Sequence, residues 1–282
     1  MPISTPPCVL SIAGTDPSGG AGIQADIKTI SATGSYAASV ITALVAQNTQ
    51  RVDAIFELTP LFLEQQLDAV FSDLDIKAIK IGMLHNKDVI DIVGKYLKNY
   101  KGFVVLDPVM VAKNGAALLQ PDIIDYLKDN LLSYATVITP NIPEAEKLLE
   151  TSINSYVEME SAAKTLGEKF NINILLKGGH LNAEQSSDVL YTAANKKFHW
   201  FHAPKINTKN THGTGCTLSS AIASYLAQGF ELPKSIQLAK DYLTRALESG
   251  SKFNIGKGFG PVDHFYPLRE KNYHVRKINE NS

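Results

Sequence analysis

Cysteine is scarce in this chain. There are two, Cys8 and Cys216, far apart in sequence. Two cysteines so placed exclude a disulfide framework, and they lack the close pairing of a zinc site. An excess of charge of one sign is also missing: 27 basic residues stand against 28 acidic ones, for a net charge of −1. That balance carries no electrostatic footprint for nucleic acid or an anionic membrane surface. No window approaches the roughly 18 consecutive apolar residues of a membrane span. The first residues, MPISTPPCVLSIAG, lack the basic start of a secretion signal. There is no internal repeat, low-complexity run or linker. The expectation is a soluble protein of a reducing, cytoplasmic compartment, acting on small molecules and not on nucleic acid or a membrane.

What is present is an ordinary globular composition, 44% apolar and 20% charged over 282 residues. Short β-type runs at 8–14, 39–47, 78–84, 103–109, 136–140 and 172–179 alternate with helical patterns. Leu63, Leu67, Val70, Phe71 and Leu74 recur at helical spacing, as do Val89, Ile90, Val93, Leu97 and Tyr100. Strands that read as continuous apolar runs are buried on both faces, which predicts an α/β protein with a mostly parallel sheet between helical layers. Residues 188–204 read as a hairpin around Ala194-Asn195-Lys196-Lys197, at one end of the sheet. Residues 213–229 and 233–250 read as helices. One domain over 1–268 is expected, followed by a polar tail at 269–282.

In an open parallel sheet, ligands bind beyond the carboxyl ends of the strands. The residues that follow the six runs are a glycine loop at 14–22, then Gln47-Asn48, Gly82-Met83, Asp107-Pro108, Thr139-Pro140-Asn141 and Lys177-Gly178-Gly179. A site along this edge is the natural reading. The glycine loop lacks the GK[ST] of a Walker motif, and its GxGxxA match at Gly20–Ala25 follows a loop too long for a dinucleotide fingerprint. A plain turn would explain two of its glycines, but not Asp16 and Asp26 on either side. Asp107 and Glu144 are the acids best placed to hold Mg²⁺, while Glu144 also reads as a first-turn acid favoured by the helix dipole. Lys177 reads as a phosphate contact or as a solvated lysine. The stretch NTHGTGCTLSSA (210–221) puts glycines just before a small-residue helix. It reads as an anion hole of unpaired N–H groups, or as an ordinary turn capped by a threonine.

Taken together and in order, AGTDPSGGAGIQAD, SVITALVAQNT, KIGML, DPVM, TPNIPEA, LLKGGH and NTHGTGCTLSSA resemble the hydroxymethylpyrimidine/phosphomethylpyrimidine kinases of thiamine biosynthesis. These belong to the ribokinase-like superfamily. The resemblance runs from about residue 9 to 265. It implies a three-layer α/β/α fold, ATP with Mg²⁺, possible dependence on a monovalent cation, and a homodimer. It implies two successive phosphorylations, of 4-amino-5-hydroxymethyl-2-methylpyrimidine and then of its monophosphate. It further implies that Gln47 bonds the pyrimidine's amino group and ring nitrogen, and that Met83, Met110, Asp26 and the backbone at Gly14 seat the ring. Asn141 and Glu144 match the family's NxxE pattern linked to Mg²⁺ and phosphate, with Asp107 as a second acid. Lys177 would meet the ATP phosphates, supported by Lys240, Thr211 and Thr214. Gly213, Thr214, Gly215 and Cys216 would form the anion hole.

Most sugar kinases of the superfamily carry Asp, the base for the substrate hydroxyl, where Cys216 stands. A thiol at a helix N-terminus can have its pKa lowered and act as that base, or it can serve to position the substrate. The nearest rival is pyridoxal kinase of the same superfamily. Some of its members share the GTGC cysteine but place another cysteine in the lid, where this chain has Ala112, and tend to lack the glutamine at 47. A non-catalytic vitamin-binding protein is disfavoured by the presence of Lys177, Glu144 and the GTG turn, and a dinucleotide oxidoreductase by the misplaced fingerprint.

Overall fold

The computed structural model describes residues 5–110, 119–179, 181 and 185–269. Ala112 and residues 270–282 of the tail lie outside the described residues. Eight strands form one sheet: β1 (Cys8–Ala13), β2 (Tyr36–Ile41), β5 (Ile76–Ile81), β6 (Phe103–Leu106), β7 (Val137–Ile138), β8 (Asn173–Lys177), β9 (Gln185–Thr192) and β10 (Lys197–Pro204). Their order is β10-β9-β8-β7-β6-β5-β1-β2. The six from β2 to β8 run parallel, and β9 and β10 close that end as the antiparallel hairpin read from residues 188–204.

Period-2 alternation sorts the strand side chains between two apolar layers. In β6, Val104 and Leu106 face one layer and Val105 the other; in β8, Ile174 and Leu176 oppose Leu175. The first layer is covered by α2 (Pro60–Asp73), α3 (Lys87–Leu97), α4 (Pro121–Asn130), α5 (Ile142–Leu149) and α6 (Tyr156–Phe170). The second is covered by α1 (Gly22–Ala32), α7 (Thr214–Ala227) and α8 (Leu232–Gly250). The small-residue run of the sequence is α7, buried on almost every side from Thr217 to Ser224. Small side chains let it lie close against β1, β5 and β6, and its serines are all bonded. Ser219 donates to the carbonyl of Gly215, Ser220 to Asp26, and Ser224 pairs with Thr33 and Ser35.

Residues 39–47 do not make the single strand expected of them. The chain leaves the main sheet at Thr42, whose N–H donates to Ala13 and whose hydroxyl donates to the carbonyl of Met83. It continues as β3 (Ala43–Gln47), which pairs antiparallel with β4 (Val52–Glu57) in a separate two-stranded sheet. No glycine or proline marks the exit, because the break is set by tertiary hydrogen bonds. β4 escaped the sequence reading because every residue in it after Val52 is exposed, so no buried face writes an alternation.

The glycine loop at 14–22 and the loop before α7 are clamped together. Asp16, fully buried, accepts from the N–H groups of Ser18, Gly20 and Ala21, from the Ser18 hydroxyl, and pairs with Nε2 of His212 at 2.7 Å. Burial alone would raise the Asp16 pKa. The His212 and Ser18 hydrogen bonds, the charge of His212 and the Ala21 N–H outweigh it and hold the pKa at about 2. A carboxyl depressed from 3.8 stabilises the fold above its unfolded pKa, and that contribution vanishes as pH falls through the folded value. The prediction is that wild-type stability drops between about pH 4 and pH 2 by up to about 2 kcal/mol more than that of Asp16→Asn. Urea unfolding across that pH range measures it, and parallel acid limbs in the two proteins would contradict the clamp.

Candidate active site

One cavity of about 640 Å³ opens at the carboxyl edge of the sheet. At one end stand Gly14, Gln47 and Met83; Met110 also lines the cavity, but its backbone bonds the Glu144 carboxyl. A register shift between Ala46 and Gln47 in the β3–β4 ladder sets Gln47 opposite Val52, at the end of the pairing. Its carboxamide lines the cavity, with no hydrogen bond of its own among the described residues. Met83 packs with Ala43 and Val45 in a small apolar cluster. A side chain at Gly14 would put its Cβ 2.6 Å from the Met83 Cε. The result is an apolar slot with one donor–acceptor amide at its rim, which suits a flat heteroaromatic ring carrying an amino group beside a ring nitrogen.

Toward the middle, Asp107, Asn141, Glu144 and Lys177 converge on the lining. Lys177 Nζ lies 2.8 Å from Asp107 Oδ1, which also accepts from the Thr139 hydroxyl. Burial works against the charge of Lys177, but Asp107 and Glu144 prevail and raise its pKa. Asn141 and Glu144 form a reciprocal capping box at the start of α5, so the helix-terminus reading of Glu144 holds locally. It does not account for the rest. Burial, opposed by Lys177 and reinforced by Asp107, pushes the Glu144 carboxyl up to about 7. A cation bound here would draw it back to the charged form. Two carboxylates, with no cluster of three or more metal-binding side chains among the described residues, fit Mg²⁺, which keeps water and phosphate oxygens as its other ligands.

The loop before α7 closes the wall. Gly213 caps the helix at φ +76°, and no side chain bonds to the cap. This excludes the ordinary threonine-capped turn: Thr214 donates instead to the carbonyl of Thr211. A Cβ at Gly213 would strike the carbonyl of Gly20, so both φ and space demand glycine. A Cβ at Gly215 would lie 3.1 Å from Asp107 Oδ2 and 3.4 Å from Lys177 Nζ, so the first turn of α7 sits directly on that ion pair. Thr211, Thr214 and Cys216 also line the cavity. Burial pushes the Cys216 thiol up to about 11, with Lys80 opposing the rise, so the helix N-terminus does not deliver a resting thiolate.

Two expected residues are placed differently. Asp26 does not line the cavity. It is fully buried, and its oxygens are taken by Ser11, Ser220 and Lys80. Lys240 does line the cavity, but its Nζ is tied at 2.6 Å to Asp188, whose other oxygen accepts from the N–H of Gly178. Lys80, Asp188 and His212 line the cavity too, and the sequence reading passed over all three. Signals existed for two. In IKAIKI, alternation puts Lys80 on the same face as Ala78, and Asp188 pairs in register with Lys177.

A family model described as phosphomethylpyrimidine kinase matches residues 16–263. The hydroxymethylpyrimidine/phosphomethylpyrimidine kinase of Escherichia coli K12 is 48% identical over 259 residues, 91% of this chain and 97% of that protein. A thiamine biosynthesis bifunctional protein of Geobacter sulfurreducens is 49% identical over 91% of this chain, which spans about half (52%) of that longer protein. Among solved structures, a pyridoxal kinase of Bacillus subtilis in an ADP complex superposes with a TM-score of 0.85 at 34% identity, covering 94% of this chain and 99% of that one. A phosphomethylpyrimidine kinase of Clostridium difficile does so at 0.75 and 41%, covering 86% and 99%. The fold is ribokinase-like, as the seven motifs implied. With the family model matching residues 16–263 and a 48% identical relative covered over 97% of its length, the chain belongs to the phosphomethylpyrimidine kinase family.

Proposed function

We propose that this protein transfers the γ-phosphoryl group of ATP first to the hydroxymethyl group of 4-amino-5-hydroxymethyl-2-methylpyrimidine and then to the resulting monophosphate. The observation that carries the reading is a single cavity with the unpartnered Gln47 amide at one end and the Lys177–Gly215 turn at the other. A ring held by Gln47 and Met83 directs its hydroxymethyl group toward the first turn of α7. The N–H groups of that turn receive the phosphoryl oxygens as charge builds on them, and Lys177 neutralises part of it. Mg²⁺, held by Asp107 and Glu144, supplies the remaining charge neutralisation when bound. Asn141 fixes Glu144 through the capping box. Lys240, anchored by Asp188, with Thr211 and Thr214, supports the nucleotide phosphates. Cys216 stands where the hydroxyl must react. Its raised pKa favours positioning at rest and requires a shift for base catalysis.

The protein acts as a homodimer in this proposal. Leu44 and Phe56 face each other across the β3–β4 ladder and are exposed, Phe56 by 66%. Leu61 and Phe62, also exposed, follow in α2. An apolar patch of this kind on a two-stranded sheet marks an interaction surface. Both cysteines are free, and no helix among the described residues is long and apolar enough to cross a membrane.

Four outcomes test the reading. In an ADP-release assay with the alcohol, the monophosphate and pyridoxal side by side, the alcohol is expected to exceed pyridoxal in kcat/KM by about tenfold or more, roughly 1.4 kcal/mol. Gln47→Ala should raise the KM for the pyrimidine about tenfold while the KM for ATP changes little. Equal rates, or an unchanged pyrimidine KM, would overturn the substrate assignment. With ATP saturating, Cys216→Ala is expected to lower kcat by about 10²-fold if the thiol takes the proton, and near-full turnover would leave it a positioning group. Phe56→Asp should shift the protein from dimer to monomer in sedimentation velocity; a dimer that survives this change does not use the β3–β4 face.

A further inference from the structure

Lys80 is the most unusual buried residue of the molecule. Alternation along β5 turns it, like Ala78, toward the α7 side, into an apolar layer. Its side chain and that of Asp26 are both completely inaccessible, with Nζ 2.8 Å from Asp26 Oδ2. Such a pair is a poor way to stabilise a fold, since apolar residues of similar volume do as well or better. The surroundings make room for it. A Cβ at Gly82 would fall 2.8 Å from the ammonium and 2.9 Å from the Cβ of Ala13. Ala13, Lys80 and Gly82 are all part of the cavity wall, whereas Asp26 lies behind it.

Lys80 thus belongs to the cavity wall and Asp26 does not, although neither side chain is reached by solvent. Asp26 also accepts from the Ser220 hydroxyl at 2.8 Å and from the Ser11 hydroxyl at 2.6 Å. Ser220 lies four residues beyond Cys216 on the same face of α7, so Asp26 fixes Lys80 relative to that thiol. Asp26 is the only hydrogen-bond partner of the Lys80 ammonium among the described residues, although it carries three donors. The groups whose charge or dipole acts on Cys216 are Lys80, Asp26, Asp107, the N–H of Gly22 and, across the cavity, Lys177. Burial is the largest influence on the thiol and raises its pKa; Lys80 is the next, and opposes it.

We propose that Lys80 is a positioning residue of the phosphoryl transfer: seated on Asp26, its ammonium is the fixed positive charge that makes the Cys216 thiolate attainable. In that step the thiolate sulfur takes the hydroxyl proton as the substrate oxygen bonds the γ-phosphorus, and the bond to the β,γ-bridging oxygen breaks, releasing ADP with its electron pair. The inference rests on the kinase reading above, but its main readout does not need the substrate.

The test uses full-length protein in a Cys8→Ser background, so that Cys216 is the one remaining thiol. Alkylation by iodoacetamide is followed from pH 6 upward, alongside steady-state kinetics. Lys80→Met is expected to move the alkylation profile at least one unit to higher pH. It should lower kcat at least tenfold at neutral pH with partial recovery at higher pH, and leave the KM for ATP within about threefold. Because Lys80→Met strands a buried carboxylate, Lys80→Met/Asp26→Asn is measured as well. It restores neutrality, so a structural role is rescued in it, while the alkylation profile stays displaced in part because Lys80 acts on the thiol more strongly than the opposing Asp26. A double variant with the wild-type alkylation profile and wild-type kcat overturns the proposal and leaves Lys80 a structural ion pair. Absence of ADP release from the unmodified protein with every alcohol sinks the kinase reading separately, and the alkylation profiles still decide whether Lys80 governs the thiol.

Discussion

The site depends on one close approach, the backbone of Gly213 against the carbonyl of Gly20. Two loops far apart in sequence, one after β1 and one before α7, can meet at that distance only if the later residue has no side chain and tolerates a positive φ. Asp16 then locks the contact by accepting three backbone N–H groups from the first loop and pairing with His212 of the second. With the loops locked, α7 begins at the cavity instead of beside it. Its first turn lies on Asp107 and Lys177, and Cys216 enters the wall. The small residues of α7 serve the same end, because a bulkier helix could not lie this deep against β1, β5 and β6.

The charges of the site follow a common plan. Of the five lysines that line the cavity, three are each held by an aspartate: Lys80 by Asp26, Lys177 by Asp107, Lys240 by Asp188. A cavity meant for the phosphates of a nucleotide needs positive charge, yet bare buried ammonium groups would strain the empty protein. Pairing each cation with an acid from a neighbouring element keeps the empty site close to neutral and fixes each Nζ in place. The arrangement also makes each pair fragile to half-removal, which costs about 3–5 kcal/mol when the partner is left buried and unpaired. Glu144 is the exception. Burial outweighs the charge of Lys177 and pushes its carboxyl toward neutrality.

Most of the architecture was legible because parallel strands buried on both faces write themselves as apolar runs. The position of the site was legible because every such run ended in polar, glycine or proline residues. Legibility failed where tertiary bonds decide. The exit at Thr42 is made by a hydroxyl and a carbonyl 41 residues apart, and no local composition records it. The family resemblance assigned Asp26 to the ligand; Lys80, hidden in a strand, is the residue of the cavity wall, and Asp26 stands behind it. The Cys216 thiol likewise has both of the features that lower a pKa, a helix N-terminus and a lysine, but burial outweighs them. Sequence shows the groups that perturb a thiol, not how deeply it is buried.

The two ends of the cavity are also joined outside it. The tip of the β3–β4 hairpin, next to Gln47, is held through Thr49, whose carbonyl accepts from Phe259 and whose hydroxyl oxygen accepts from Gly258. The next residue, Gly260, accepts from the N–H of His212 in the anion-binding loop. Three consecutive residues thus connect the surroundings of the Gln47 amide to the glycine turn before α7, with Gly256 packed against Thr49 at a φ of +73°. In a reaction governed by alignment of a hydroxyl with a phosphorus, such a connection keeps the distance between ring and phosphate constant while each ligand binds in turn. It also explains why a polar, glycine-rich segment near the end of the chain is ordered without forming a helix or strand: its backbone groups are used to hold the two halves of the site in register.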